Sequence, residues 1–539
     1  MEKGEERLRI VSVTIPLTVL LALVLTNYLI NGLPFIPDSW VHLAHSETIL
    51  STGYLFGPSP NPSQVSYNYQ WPTVNLLLAL TQSILGLKPL QSFYLVSIVA
   101  AMSVIPFTLL ARRLTTDGTT MLIAGLLFAV ASVKILVDAS VMKETAAQYP
   151  FYAYVLATYI ALTDRKHFRQ NLTVMVLSFI AILFAHHFTL LMALAYSFII
   201  SLTILTSSYL DGNDTSRELY VTVTVILLGA LTYFWYMDYL RAFEVTGFVT
   251  PGLISTPILI ALLLLDYVTM RRRPRIIILT ILTLTALIII TLFSLGRLLP
   301  YVLEGFNKAV VLSSIPYALP IIISALYLAI YGFQRPVVTA VTILSLAILV
   351  YVVLMGNNPM ELLFLSKSLD FVIPFLSIPT AITITKALRH GLPIKVLGYT
   401  LVTTLIVTLP IFAMLTLYTY SLPTSSTLTV YRLIDYEELN TMTKFLPINA
   451  TLYASVSYNS MIRFMTGINA SDPTTYLLMG KPPPGLLVIT KRNLLIGFLY
   501  GSGYSMVSIP RNYVINTLVT NDDLVYSSKT LWAWLPKTH

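Results

Sequence analysis

A chain of 539 residues in which 56% are hydrophobic and only 11% are charged does not read as a soluble protein, where about 25% are charged. With a mean hydropathy of +0.77, the composition excludes an ordinary soluble enzyme, a disordered chain and a nucleic-acid-binding domain, and directs the reading to a multi-spanning membrane protein. The net charge of +9 is then first a topology signal, and the absence of cysteine excludes disulfides, thiolate catalysis, zinc–thiolate sites and iron–sulfur clusters.

In chain order, a short charged stretch, Met1 to Arg9, precedes an apolar run over 10–30. That run is long enough to cross a ~30 Å hydrocarbon core. No small-residue cleavage site follows it, so it reads as an uncleaved first span. Next comes a loop over 31–90, rich in Pro, Tyr, Asn and Ser. Two amphipathic helices are predicted in it, at 38–51 and 73–87. The second is short for a span and fits the membrane surface better. Further spans are predicted at 91–111, 119–137, 145–163, 172–185, 188–206, 218–236, 253–270, 276–295, 309–332, 337–355, 371–388 and 396–419, thirteen in all with the first.

The charges orient these spans. Seventeen basic residues, from Lys3 through Arg271–Arg273 to Lys395, fall on the side of the N-terminus. The opposite loops and helix ends hold seven, namely Lys88, Lys134, Lys143, Arg241, Arg297, Lys308 and Lys367. The positive-inside rule puts the N-terminus in the cytoplasm and, after thirteen spans, the C-terminus outside. The expected architecture is an all-α polytopic membrane domain over 1–423 and a small extracytoplasmic α/β domain over 424–539. In the tail, helices are predicted at 431–446 and 457–467. Strand-like runs stand at Thr451–Tyr458, Gly485–Thr490, Tyr504–Ile509 and Leu524–Leu535, between Pro, Gly and Asn turns.

The candidate site residues gather at the outer rim. Asp38, His42 and His45 fall within a 60° arc of the first surface helix at 100° per residue. A carboxylate there can take a proton from an acceptor hydroxyl or bind a metal. Asp after Pro at a helix start is also a favoured cap. His42 and His45 with Asp38 resemble a loose metal-ligand spacing at i, i+4 and i+7, and also read as plain polar-face residues. Lys134, Asp138, Lys143 and Glu144 crowd the second outer loop. There they can hold a phosphate and a sugar, or salt-bridge one another. His186 and His187 form a turn that can donate to a phosphate. Arg297 and Lys367 are candidate phosphate ligands or interface anchors. Tyr69 and Trp71 suit sugar stacking and equally an interfacial belt.

Taken together these features resemble the GT-C superfamily of membrane glycosyltransferases, which includes the oligosaccharyltransferase catalytic subunit and the protein mannosyltransferases. Asp38-x-x-x-His42-Leu43, ending at Gly53, looks like that family's first-loop acidic motif. Tyr69-x-Trp71-Pro72 looks like its aromatic-proline segment. Asp138 and Lys143-Glu144 fall where its second acidic motif belongs, and His186-His187 looks like the histidine turn of archaeal members. The resemblance implies transfer of a sugar from a polyprenyl- or dolichyl-phosphate donor to a protein, lipid or glycan acceptor on the extracytoplasmic face. Asp38 and Glu144 would be the catalytic carboxylates. If a divalent cation such as Mg or Mn takes part, Asp38, Asp138 and Glu144 are its candidate ligands. The tail lacks the oligosaccharyltransferase signature of two tryptophans, Asp, Tyr and Gly, so a transferase of single sugars fits better. The rival readings are a transporter or lipid-carrier flippase, expected to carry mid-membrane charges and broken helices, and a non-catalytic subunit of a cell-envelope assembly.

Overall fold

The computed structural model describes residues 2–34, 36–56, 67–236, 308–331, 334–355, 359–411, 413–414, 431–446, 451–496, 498–500, 505–507 and 511–536. The expected spans at 253–270 and 276–295, Arg297, and the linker to the tail lie outside the described residues. The first eleven helices are α1 (Glu2–Asn31), α2 (Pro37–Thr52), α3 (Pro72–Leu85), α4 (Pro89–Ala101), α5 (Val104–Thr115), α6 (Gly118–Ala129), α7 (Ser132–Ser140), α8 (Lys143–Thr163), α9 (Phe168–Ala185), α10 (His187–Leu210) and α11 (Ser216–Phe234). The helices Lys308–Tyr331, Pro336–Met355, Pro359–Leu388 and Leu392–Thr408 follow. Among the described residues six helical stretches are long and apolar enough to cross a membrane, or seven if the bent pair α6–α7 is one span. The protein is a multi-pass, mainly helical membrane protein.

The two loop helices form where the sequence places them, and their ends explain why. Each opens on a proline at its first turn, Pro37 and Pro72, where a missing N–H costs nothing. Each stops at a glycine in the left-handed region, Gly53 at φ 75° and Gly86 at φ 63°. The Gly53 N–H bonds back to the Ile49 carbonyl at 2.8 Å.

One expected span is corrected. The run 119–137 is two helices, α6 and α7, bent by 58° at Val130–Ala131. The polar residues of α7 account for the break. Lys134 and Asp138 point inward and are both fully buried, so α7 turns to bury them against α8 and the helix Pro359–Leu388. The α6 segment packs closely on α1 and α5 through Gly125. A Cβ there would lie 2.5 Å from Thr108 Cγ2 and 2.9 Å from Pro16 Cγ, which is the close backbone approach small residues permit in membranes.

The tail is an α/β unit. Strands β1 (Leu452–Ala454), β2 (Leu486–Thr490), β5 (Asp522–Ser527) and β6 (Leu531–Pro536) form one sheet in the order β1-β2-β6-β5. β1 and β2 are parallel and the other pairs antiparallel. Every residue of β2 is buried, as the apolar run Leu486–Ile489 in a central strand requires, and the Thr490 hydroxyl at its end donates to Asn493 Oδ1. Strands β3 (Phe498–Tyr500) and β4 (Ser505–Val507) make a separate antiparallel pair. The single strand-like run 524–535 is in fact the hairpin β5–β6, turned at Ser528–Thr530. The hydroxyls of Ser528 and Thr530 and the Thr530 N–H all donate to the Glu438 carboxylate.

The tail does not stand apart. It shares one apolar core with the loop helices, in which Leu33, Trp40, Leu43 and Phe93 pack with Tyr431, Met461, Ile462 and Leu486. Trp40 is fully buried. It stacks on Tyr436 with ring centroids 5.6 Å apart and meets Tyr431 and Phe93 edge-on at 6.0 and 5.9 Å.

Candidate functional site

Two helices bring the first acidic motif to the rim. Asp38 lies in the first turn of α2 and is half-buried. One turn on, His42 is fully buried. Its Nδ1 donates to the Asn75 carboxamide oxygen of α3 at 2.8 Å. That bond fixes the tautomer and leaves Nε2 as a bare lone pair, buried and without a hydrogen-bond partner. Burial holds the His42 imidazole below its ordinary pKa, opposed by the Asp38 carboxylate and reinforced by Lys143. His42 is therefore a neutral base set among Asp38, Lys143 and Glu144.

His45 is also buried, stacked on Tyr69 at 3.5 Å between centroids. Burial, with help from His42 and Arg463, lowers its pKa to about 3. The expectation that α2 presents two open imidazoles is thus corrected. Asp38 is accessible, while both histidines are covered by α3, by the short turn Tyr67–Gln70 and by the tail.

The second motif is split by the fold into two clusters. Lys143 and Glu144 begin α8, after a tight turn in which the buried Val141 takes a left-handed φ of 53°. A branched residue there is strained and is held by its surroundings. Glu144 Oε1 accepts from Lys367 Nζ at 2.6 Å and lies 3.2 Å from His186 Nε2. His186 caps α10: its Nδ1 accepts from the Thr189 N–H and lies 2.9 Å from Thr189 Oγ1. The imidazole proton is therefore on Nε2, which lies close to Glu144 Oε1 without the alignment of a hydrogen bond. His187 and Trp71 stand beside it with centroids 5.0 Å apart. Asp38, His42, Lys143, Glu144, His186 and Lys367 thus come from four separate parts of the chain to one rim.

The other cluster lies inside the bundle. Lys134 Nζ donates to Asp138 Oδ1 at 2.5 Å and to Gln148 Oε1 at 3.1 Å, and Gln148 in turn donates to Asp370 Oδ2. The salt-bridging alternative for this loop is the one the structure adopts at Asp138. Among the described residues no three or more His, Asp or Glu side chains are spaced to hold a metal ion. Asp38, Asp138 and Glu144 are not gathered into a metal-binding trio, because Asp138 is turned into the bundle by its bond to Lys134. Asn75, Gln148 and Asp370 carry the connections and were not among the sequence candidates. An amide and a carboxylate far off in the chain leave no local signal.

No protein-family model matches the chain, and no curated protein is similar to it. Solved structures to which it is similar include ArnT from Cupriavidus metallidurans in the apo state, with 12% identity, 97% of both chains covered and a TM-score of 0.38. The same protein bound to undecaprenyl phosphate matches with 13% identity, the same coverage and a TM-score of 0.38. The oligosaccharyltransferase of Archaeoglobus fulgidus, tethered to an acceptor peptide containing the NVT sequon, has 12% identity, covers 97% of this chain and 74% of its own, and has a TM-score of 0.49.

Proposed function

We propose that the protein is a membrane glycosyltransferase of the GT-C type. In this reading it moves a sugar from a polyprenyl-phosphate donor to an acceptor on the extracytoplasmic face. The observation that carries the reading is the gathering of an accessible acid and two lysines at one rim. Asp38 stands beside neutral His42, whose imidazole Lys143 and Glu144 also influence, and Glu144 in turn pairs with Lys367 and lies 3.2 Å from His186.

The chemistry follows from those groups. The acceptor hydroxyl gives its proton to the Asp38 carboxylate as its oxygen bonds the anomeric carbon. The bond from that carbon to the phosphate oxygen breaks, and the lipid phosphate leaves with the electron pair. Such a base contributes about 10²–10⁴-fold. Lys143 and Lys367 stabilise the charge that develops on the phosphate. Glu144 holds Lys367 and His186 in place. The N-terminus lies in the cytoplasm in this reading, and the tail, packed on α2, borders the acceptor side.

The bent pair α6–α7 with buried Lys134 and Asp138 is the feature that favours the transporter reading. One experiment separates the two. The full chain in proteoliposomes is given a radiolabelled polyprenyl-phosphate sugar and a membrane acceptor fraction. The transferase reading expects labelled product that Asp38→Asn abolishes. Unchanged transfer in Asp38→Asn removes Asp38, and movement of intact donor across the bilayer without product supports the transporter.

A further inference from the structure

A cavity of about 170 Å³ opens on the lipid-facing side of the bundle between α5, α8 and α9. It is remote from the acidic rim, on the far face of α8 from Glu144: Tyr149, five residues on from Glu144, lies about 140° round the helix. Its floor is made by Pro106, Ala153 and Ala157, whose small side chains leave the hollow, and Leu109, Tyr149 and Asn171 stand along its edges. Leu109 and Tyr149 are about 40% exposed, so the hollow is open and not sealed. A cavity of about 150 Å³ suffices for a benzene-sized apolar body.

The hollow lies along helices that read as membrane spans, so what surrounds it is hydrocarbon. One end carries the charge. Arg113 is one turn beyond Leu109 on the same flank of α5 and is exposed. Arg165, Lys166 and Arg169, all exposed, crowd the turn between α8 and α9; the acids near them are Asp164, already paired to His167 at 3.0 Å, and Asp214, whose carboxylate Arg165 and Arg217 influence. An apolar slot ending in an excess of cations at one membrane face matches an anionic phospholipid, with a short stretch of one acyl chain in the slot and the phosphate at the cations. We propose that this groove is a binding site for a single anionic phospholipid, drawn from the leaflet that meets Arg113 and Lys166. It stands independently of the transferase reading.

The test is native mass spectrometry of the detergent-solubilised full chain with equal phosphatidylglycerol and phosphatidylcholine. Wild type is expected to retain one phosphatidylglycerol in preference to phosphatidylcholine. Replacing one surface cation should cost about fivefold, so Arg113→Gln with Lys166→Gln should bring the ratio towards one. These exposed positions leave the core untouched. Ala153→Phe should remove retention of either lipid. Equal retention of the two lipids by wild type, or a ratio unchanged in the double variant, overturns the proposal.

Discussion

Lys367 and Glu144, 223 residues apart in sequence, meet in a 2.6 Å ion pair that joins the helix Pro359–Leu388 to the start of α8. Glu144 is buried, while the Lys367 side chain keeps about a quarter of its surface. The pair therefore presents a cation to the rim while hiding its counter-charge. Replacing Glu144 by Gln should cut transfer about 100-fold or more, on the scale of removing a charge-stabilising group. Lys367→Met should weaken donor binding while Glu144 keeps His186. A Glu144→Gln enzyme with wild-type rates in the proteoliposome assay contradicts this.

Inside the bundle, Lys134 is the cation shared by Asp138 and, through Gln148, Asp370. Lys134→Met leaves a buried carboxylate uncompensated, a change that costs about 3–5 kcal/mol. Lys134→Met with Asp138→Asn should recover most of it. Thermal unfolding of the two variants in one detergent measures this, and equal melting temperatures would refute the pairing.

Trp40 fastens the tail to α2. Trp40→Ala should cost about 3–5 kcal/mol and expose the tail to limited proteolysis before the membrane helices melt. Cleavage patterns identical to wild type would show that the tail is held elsewhere.

The buried histidines make stability depend on pH. His45 titrates near pH 3 when folded, because burial disfavours its charged form, and near 6.5 when unfolded. Below pH 6.5 the unfolded chain binds a proton that the folded chain refuses, so stability falls as pH drops from about 6.5 towards 3. His42 acts in the same direction. A His45→Phe variant should lose less melting temperature between pH 7 and pH 4.5 than wild type does. An equal loss would assign the acid sensitivity to other groups.

The helices of the first loop were legible because their signals are local. Pro37 and Gly53 bracket α2, and Pro72 and Gly86 bracket α3. The bend at Val130–Ala131 was not, since an apolar run reads the same straight or broken. Its cause, the inward pull of Lys134 and Asp138, is settled by Gln148 and by Asp370, the latter 222 residues further on. The polar arc of Asp38, His42 and His45 was correct as geometry along α2. Its exposure was not, because Asn75, Tyr69 and the tail that cover the two histidines cannot be read from a helical wheel. Of the second acidic motif, the sequence showed the residues and the fold decided the division: Glu144 to the rim, Asp138 to the bundle.

The central claim is that the rim receives a lipid phosphate. Cryo-electron microscopy of the full chain in nanodiscs loaded with polyprenyl phosphate tests it most directly. Phosphate density within hydrogen-bonding reach of Lys143 or Lys367, beside Asp38, is the predicted result. A phosphate seated elsewhere, or an empty rim at saturating lipid, would contradict it.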